Sequence, residues 1–203
     1  MMPSIMKKKS KKPLIIGVSG VRGSFSEEAA RAYAVKNGLK SFKILYLVSV
    51  ENVLKNLEEG SSSLGIFPIE NSNGGIVIEA VHAMAKHRFY IKKLFEIQIS
   101  MNLLAKKSIR APHIRRIVSH DQALKQCRHY LKRVWPQVKL AEYPDTAKAA
   151  EDLASGKLPK STAVIASLAA AKRYKLDVLE EGIQDLKFNY TSFICAASER
   201  NKN

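Results

Sequence analysis

Short apolar runs along the chain alternate with polar stretches punctuated by glycine, and the spacing of the apolar positions predicts strands and helices in turn. Residues 14–20 form an apolar run ending in glycine. Ser24 then precedes Glu27, Glu28 and an alanine-rich stretch that stops at Asn37 and Gly38, the pattern of a capped helix. The spacing predicts a strand over 42–49, a helix over 50–59 closed by Gly60, and a strand over 64–69. That strand runs into the polar loop Glu70-Asn71-Ser72-Asn73-Gly74-Gly75, after which 76–87 has helical spacing.

Residues 89–104 are extended in character, with no glycine or proline, and suit a passage from one half of the molecule to the other. Beyond them the alternation restarts. A strand is predicted over 116–119, one helix over 121–135 with Asp121 as its cap and Pro136 as its stop, and a strand over 138–143. A helix over 146–153, closed by Gly156, is followed by a strand over 162–165, an alanine-rich helix over 166–174 and a strand over 178–183. The last strand, 190–197, returns to the first group. The fold class is therefore α/β, with two lobes built on parallel-rich mixed sheets and a cleft between them. Residues 13–95 with 184–200 make lobe 1, 96–183 make lobe 2, and 1–12, with five lysines, make a basic disordered tail. A single doubly wound sheet is the alternative that periodicity leaves open.

Composition narrows the function. A hydrophobic content of 46% is enough to bury a core, and no run reaches the length of about 18 residues that a membrane span needs. Cys127 and Cys195 show no ligand spacing with the five histidines, so neither a disulfide framework nor a metal site is expected, and a reducing, cytoplasmic setting is the default. The net charge of +16 would suit a polyanion, but the basic residues are scattered and no RNA-binding or zinc-finger motif accompanies them, so no nucleic-acid partner is expected.

Candidate chemistry gathers at helix starts. Ser24, Asn71 with Ser72, His120 with Asp121 and Gln122, Thr146 and Ser167 each stand where a helix is predicted to begin. Unpaired N–H groups converging there would bind an anion, although ordinary capping explains each residue singly. Neither a complete G-x-S-x-G elbow nor a G-K-[ST] phosphate loop is present.

The loops also spell a pattern. Gly23-Ser24-Phe25-Ser26-Glu27, Pro68-Ile69-Glu70-Asn71-Ser72 with Gly75, Ser119-His120-Asp121-Gln122-Ala123-Leu124 with Gln126-Cys127, Thr146-Ala147, and Thr191-Ser192-Phe193 occur in the order seen in prephenate dehydratases, which the chain resembles over nearly all of 14–197. The resemblance implies two lobes like those of type II periplasmic binding proteins, a homodimer, and a cofactor-free lyase that converts prephenate to phenylpyruvate in phenylalanine biosynthesis. It assigns proton donation to Thr191 and implies substrate contacts from Ser24, Asn71, Ser72, Ser119, Gln122, Thr146 and Phe193. The family's T-R-F arginine is Ser192 here, and Arg22, in place of a family glutamate, is expected to substitute as the cation. An arogenate dehydratase, a non-aromatising prephenate decarboxylase and a catalytically weakened small-anion binding module are the alternatives. A regulatory ACT domain and a mutase domain are not expected in a chain of this length.

Overall fold

In the computed structural model, which describes residues 13–198, the first apolar run becomes β1 (Leu14–Val18) and the alanine-rich stretch α1 (Phe25–Lys36). The expected basic tail lies outside the described residues. The next elements are β2 (Phe42–Tyr46), α2 (Val50–Glu58), β3 (Leu64–Asn71), β4 (Gly75–Ile76), α3 (Ile78–Met84) and β5 (Tyr90–Gln98). After these come β6 (Asn102–Ala105), β7 (Arg116–Ser119), α4 (Asp121–Gln126), α5 (Arg128–Val134), β8 (Lys139–Glu142), α6 (Thr146–Ser155), β9 (Thr162–Ala166), α7 (Leu168–Tyr174), β10 (Asp177–Glu180) and β11 (Tyr190–Ala197).

Two sheets result, so the molecule is the two-lobed form rather than a single doubly wound sheet. The first runs β2-β1-β3-β11-β5, with β4 on the end of β3; the second runs β10-β6-β9-β7-β8. β1, β2 and β3 are parallel, as are β7, β8 and β9, whereas β11 enters antiparallel between β3 and β5. The chain crosses between sheets after Gln98 and returns between Glu180 and Tyr190.

Each sheet is apolar on both faces because helices cover both. Along β11, Phe193 and Cys195 face the α1 side with Ile16, Val18 and Tyr33, while Ile194 and Ala196 face α2 and α3 with Val53, Leu54, Leu57 and Phe67. Gly65 is required for this packing. A Cβ there would lie 2.6 Å from Val53 Cγ1 and 2.7 Å from Leu57 Cδ1, so a side chain would require these two residues of α2 to shift.

Three expected elements differ. The helix over 121–135 is two helices, interrupted at Cys127 (φ −111°, ψ 14°), and its cap is His120 rather than Asp121. The break is stabilised from outside, because the carboxylate of Asp185 accepts from His129 N at 2.8 Å and Tyr130 N at 2.9 Å in the first turn of α5. The helix over 76–87 shrinks to α3, since Gly75 and Ile76 pair with Asn71 and Glu70 as β4. The extended run over 89–104 divides into β5 and β6, which join different sheets.

Candidate active site at the junction of the sheets

Asn71 ends β3 and stands in register with Thr191 on β11, which places their side chains together. The loop after β3 folds back on Asn71, whose Oδ1 accepts from the backbone N–H of Asn73 at 3.0 Å and of Gly74 at 2.8 Å. Two backbone donors fix that end of the amide as the oxygen. Its Nδ2 therefore faces the other way, toward Thr191 Oγ1 at 2.8 Å, Asn189 Oδ1 at 2.9 Å and the carbonyl of Tyr190 at 3.1 Å.

The second sheet contributes Gln126, at the end of α4. Its Nε2 donates to Asn71 Oδ1 at 3.1 Å, and its Oε1 accepts from Asn189 Nδ2 at 2.9 Å. Asn71, Asn189 and Gln126 thus form a closed ring of amides, each donating to the next. Beside it, Ser72 Oγ accepts from Tyr190 N at 3.0 Å and donates to the carbonyl of Phe188 at 3.4 Å.

A further set of bonds joins the halves at the start of α1. Ser167 Oγ donates to the carbonyl of Gly23 at 2.9 Å, Tyr174 donates to that of Arg22 at 2.9 Å, and Glu28 Oε1 accepts from Ala169 N at 3.3 Å. Gly23 has φ 85° and lies against Ala170, so this approach needs a residue without a Cβ. Burial raises the Glu28 carboxyl, an effect that the Ala169 N–H and the Ser167 hydroxyl offset only in part. Burial also opposes ionisation of neighbouring Glu27, but hydrogen bonds from Gly23 N and Arg31 prevail and hold it below the usual range.

Thr191 is 8% exposed. Its Oγ1 accepts from Asn71, and among the described residues no acceptor takes its proton. A cavity of about 350 Å³ lined by Asn73, Gln122, Lys125, Gln126, His129, Asp185 and Leu186 shares Gln126 with the amide ring; its Asp185 carboxylate is engaged by the backbone N–H groups of His129 and Tyr130. Among the described residues no group of three or more His, Cys, Asp or Glu side chains could hold a metal.

Of the residues expected at the site, Asn71 and Thr191 meet directly, Ser72 braces the return of the chain, and Gln122 lines the cavity. The others are engaged elsewhere. Ser24 caps α1, its Oγ accepting from Glu27 N at 3.3 Å. Ser119 is fully buried and donates to the carbonyl of Ile165 at 2.6 Å. Thr146 only begins α6, whose cap is Asp145. Phe193 is 1% exposed and stacks on Phe95 at 6.0 Å, which leaves it no surface for a ligand. Arg22 stacks its guanidinium 5.0 Å from the centre of the Tyr46 ring, in a separate cavity with Arg31, Lys40 and Phe42, so the structure does not bring it to Thr191. Asn71 and Ser72 do not start a helix either, because α3 begins after Val77 without a side-chain cap. Sequence reasoning names neither Gln126 nor Asn189 as a candidate, although both bond to Asn71. Gln126 lay within a quoted motif, whereas nothing near Asn189 marked it.

Two mixed α/β lobes meeting at a junction of hydroxyl and amide side chains define the fold class, a two-lobed α/β fold like that of periplasmic binding proteins. Residues 16–201 match the family described as prephenate dehydratase, and the chain belongs to that family. It is 34% identical over 187 residues to "Arogenate dehydratase/prephenate dehydratase 6, chloroplastic" of Arabidopsis thaliana, covering 92% of this chain and 44% of that protein. The chain thus spans less than half the length of that curated relative. The crystal structure of a prephenate dehydratase from Arthrobacter aurescens in complex with L-Phe superposes with a TM-score of 0.82 at 26% identity, over 91% of this chain and 60% of that one. A periplasmic substrate-binding protein of an ABC transporter from Coxiella burnetii shares the fold, with a TM-score of 0.51 at 16% identity over 94% of this chain and 86% of that one.

Proposed function

We propose that this chain is a dehydratase of the carbon–oxygen lyase class, acting on prephenate. The reaction breaks the bond between the ring and its carboxylate, and that electron pair moves through the diene and expels the ring hydroxyl. Carbon dioxide leaves, the hydroxyl takes a proton and leaves as water, and the ring becomes aromatic in phenylpyruvate. The protein must hold a dicarboxylate, keep the departing carboxylate poorly hydrated, and deliver one proton.

The observation that carries this reading is the hydrogen bond from Asn71 Nδ2 to Thr191 Oγ1. An accepting hydroxyl has its own proton free for another partner, so Thr191 is set as a donor. A threonine hydroxyl is a weak acid, and donation has to be concerted with departure of the leaving group. The proton then returns to Oγ1 from solvent. Lys125 and His129, which line the adjoining cavity with Gln122, are our candidates for the carboxylate partners. No step calls for a cofactor.

Absorbance of phenylpyruvate formed from prephenate tests the reading. Thr191→Ala should remove turnover and Thr191→Ser should retain a measurable part of it. Arogenate is run in parallel with phenylalanine as the product detected, since a relative's name joins both substrates. Tight binding of prephenate without turnover would make the chain a binding module instead.

Two further readings accompany this one. A homodimer is supported by the edge strand β5, where Ile91 and Leu94 are 46% and 61% exposed, and light scattering on purified protein checks it. A cytoplasmic setting is supported by two buried cysteines that are both free, and fractionation of cells checks that.

A further inference from the structure

We infer that Gln126 is a positioning residue, which sets the orientation of the Thr191 proton through the amide ring and ties it to the meeting of the two lobes. The inference rests on the dehydratase reading and deepens it. Three observations carry it. First, the ring is closed and directional: Asn71 Nδ2 to Asn189 Oδ1, Asn189 Nδ2 to Gln126 Oε1, and Gln126 Nε2 to Asn71 Oδ1, all between 2.9 and 3.1 Å. The backbone donors at Asn73 and Gly74 fix the sense of Asn71, and complementarity then fixes the other two amides.

Second, the Asn71 amide has two protons, and with one directed at Asn189 the other serves Thr191 Oγ1 at 2.8 Å, the shorter contact, with the Tyr190 carbonyl at 3.1 Å beside it. The ring thereby holds the Thr191 oxygen in an accepting role. Third, Gln126 belongs to α4 on the second sheet, whereas Asn71, Asn189 and Thr191 belong to the end of β3 and the segment entering β11 on the first. With the lobes apart the ring is open, and Asn71 loses a partner on its oxygen and Asn189 a partner on its nitrogen. Proton presentation therefore accompanies lobe closure, the geometry in which water is excluded from the substrate.

The experiment uses the full chain with prephenate and compares wild type with Gln126→Ala, Gln126→Glu and Asn189→Ala. Asn189 is fully buried, so its effect on turnover cannot come from touching substrate. Expected are a kcat lowered at least about tenfold in each alanine variant, in keeping with the sensitivity of rate to misplacement, and a double variant no slower than the worse single one. Gln126→Glu keeps the size and the acceptor but, when ionised, cannot donate to Asn71. Its kcat should recover as the pH falls and the new carboxyl regains a proton, a response that lost packing would not give. The inference is overturned by an alanine variant that matches wild-type kcat, by additive effects in the double variant, or by a Gln126→Glu pH profile shaped like that of wild type. Wild-type protein that turns over neither prephenate nor arogenate removes the dehydratase reading and this inference together, whereas wild-type turnover with indifferent variants removes this inference alone.

Discussion

Ser192 Oγ donates to Glu96 Oε1 at 3.1 Å, across the β11–β5 pair. A serine thus stands beside an acid at the position where relatives are expected to carry a carboxylate-binding arginine. Ser192→Arg alone should lower the KM for prephenate only slightly, because Glu96 is placed to take the guanidinium. Combined with Glu96→Gln, the fall should be about tenfold, the worth of a charge-assisted contact of about 1.5 kcal/mol. Steady-state kinetics on both variants decides it, and an unchanged KM in each would detach this position from substrate binding.

Asn71→Asp keeps the acceptor for Asn73 and Gly74 but turns a second oxygen toward Thr191 and Asn189. The Thr191 hydroxyl then donates to that carboxylate and withholds its proton from substrate. We expect kcat to fall by about two orders of magnitude, the lower end of what a positioned acid contributes. Turnover measured from pH 5 to 8 should rise toward the acid end as the new carboxyl is protonated.

His87 lies between two acids, with Nδ1 2.8 Å from Glu58 and Nε2 3.0 Å from Glu51, so it fastens α2 to the turn after α3. The Glu58 hydrogen bond above all raises the His87 pKa from 6.5, and His87 in turn lowers both carboxyls from 4.5. For the raised histidine, the stabilisation is complete below 6.5 and is lost as pH climbs through the higher folded value. For the lowered acids, it is complete above 4.5 and is lost as pH falls through their folded values. Thermal melting should show the largest gap between wild type and His87→Gln in the window from 4.5 to 6.5, narrowing on either side. A gap that does not vary with pH would show that His87 acts by packing alone.

Val48, between β2 and α2, has φ 69° although it is β-branched, and its side chain is 66% exposed. The left-handed region costs such a residue about 1 to 2 kcal/mol, while the added freedom of glycine costs about 0.5 to 1 kcal/mol. Val48→Gly should therefore stabilise the fold by about 0.5 kcal/mol, since little burial is lost. Urea denaturation should show a higher midpoint with an unchanged slope, and a lower midpoint would contradict the strain.

The alternation of β-branched runs with capped helices made most elements legible, because Ser24 and Ser167 cap the helices that follow them and the strands carry apolar residues toward two helical layers; Ser49, read as the end of a strand, also proves to be a cap. The break at Cys127 was not legible. It depends on Asp185, a carboxylate brought to α5 by the return crossing, and local sequence contains no trace of it. The same limit applies to the site. Asn71 and Thr191 could be named from motifs, but Asn189 and Gln126 meet Asn71 only when the chain returns to place β11 beside β3. Ser119 and Phe193 come from the same motifs and are buried in the structure, Ser119 donating to the Ile165 carbonyl and Phe193 stacking on Phe95, contacts that the motifs do not reveal.

Because β11 lies between β3 and β5, those two strands are joined in the sheet only through a segment made after the whole second sheet. During synthesis the first lobe waits with an empty slot at its centre, and Thr191 arrives in the strand that fills it. A nascent chain halted before that point exposes two unfilled strand edges, which invites pairing with other chains and capture by chaperones.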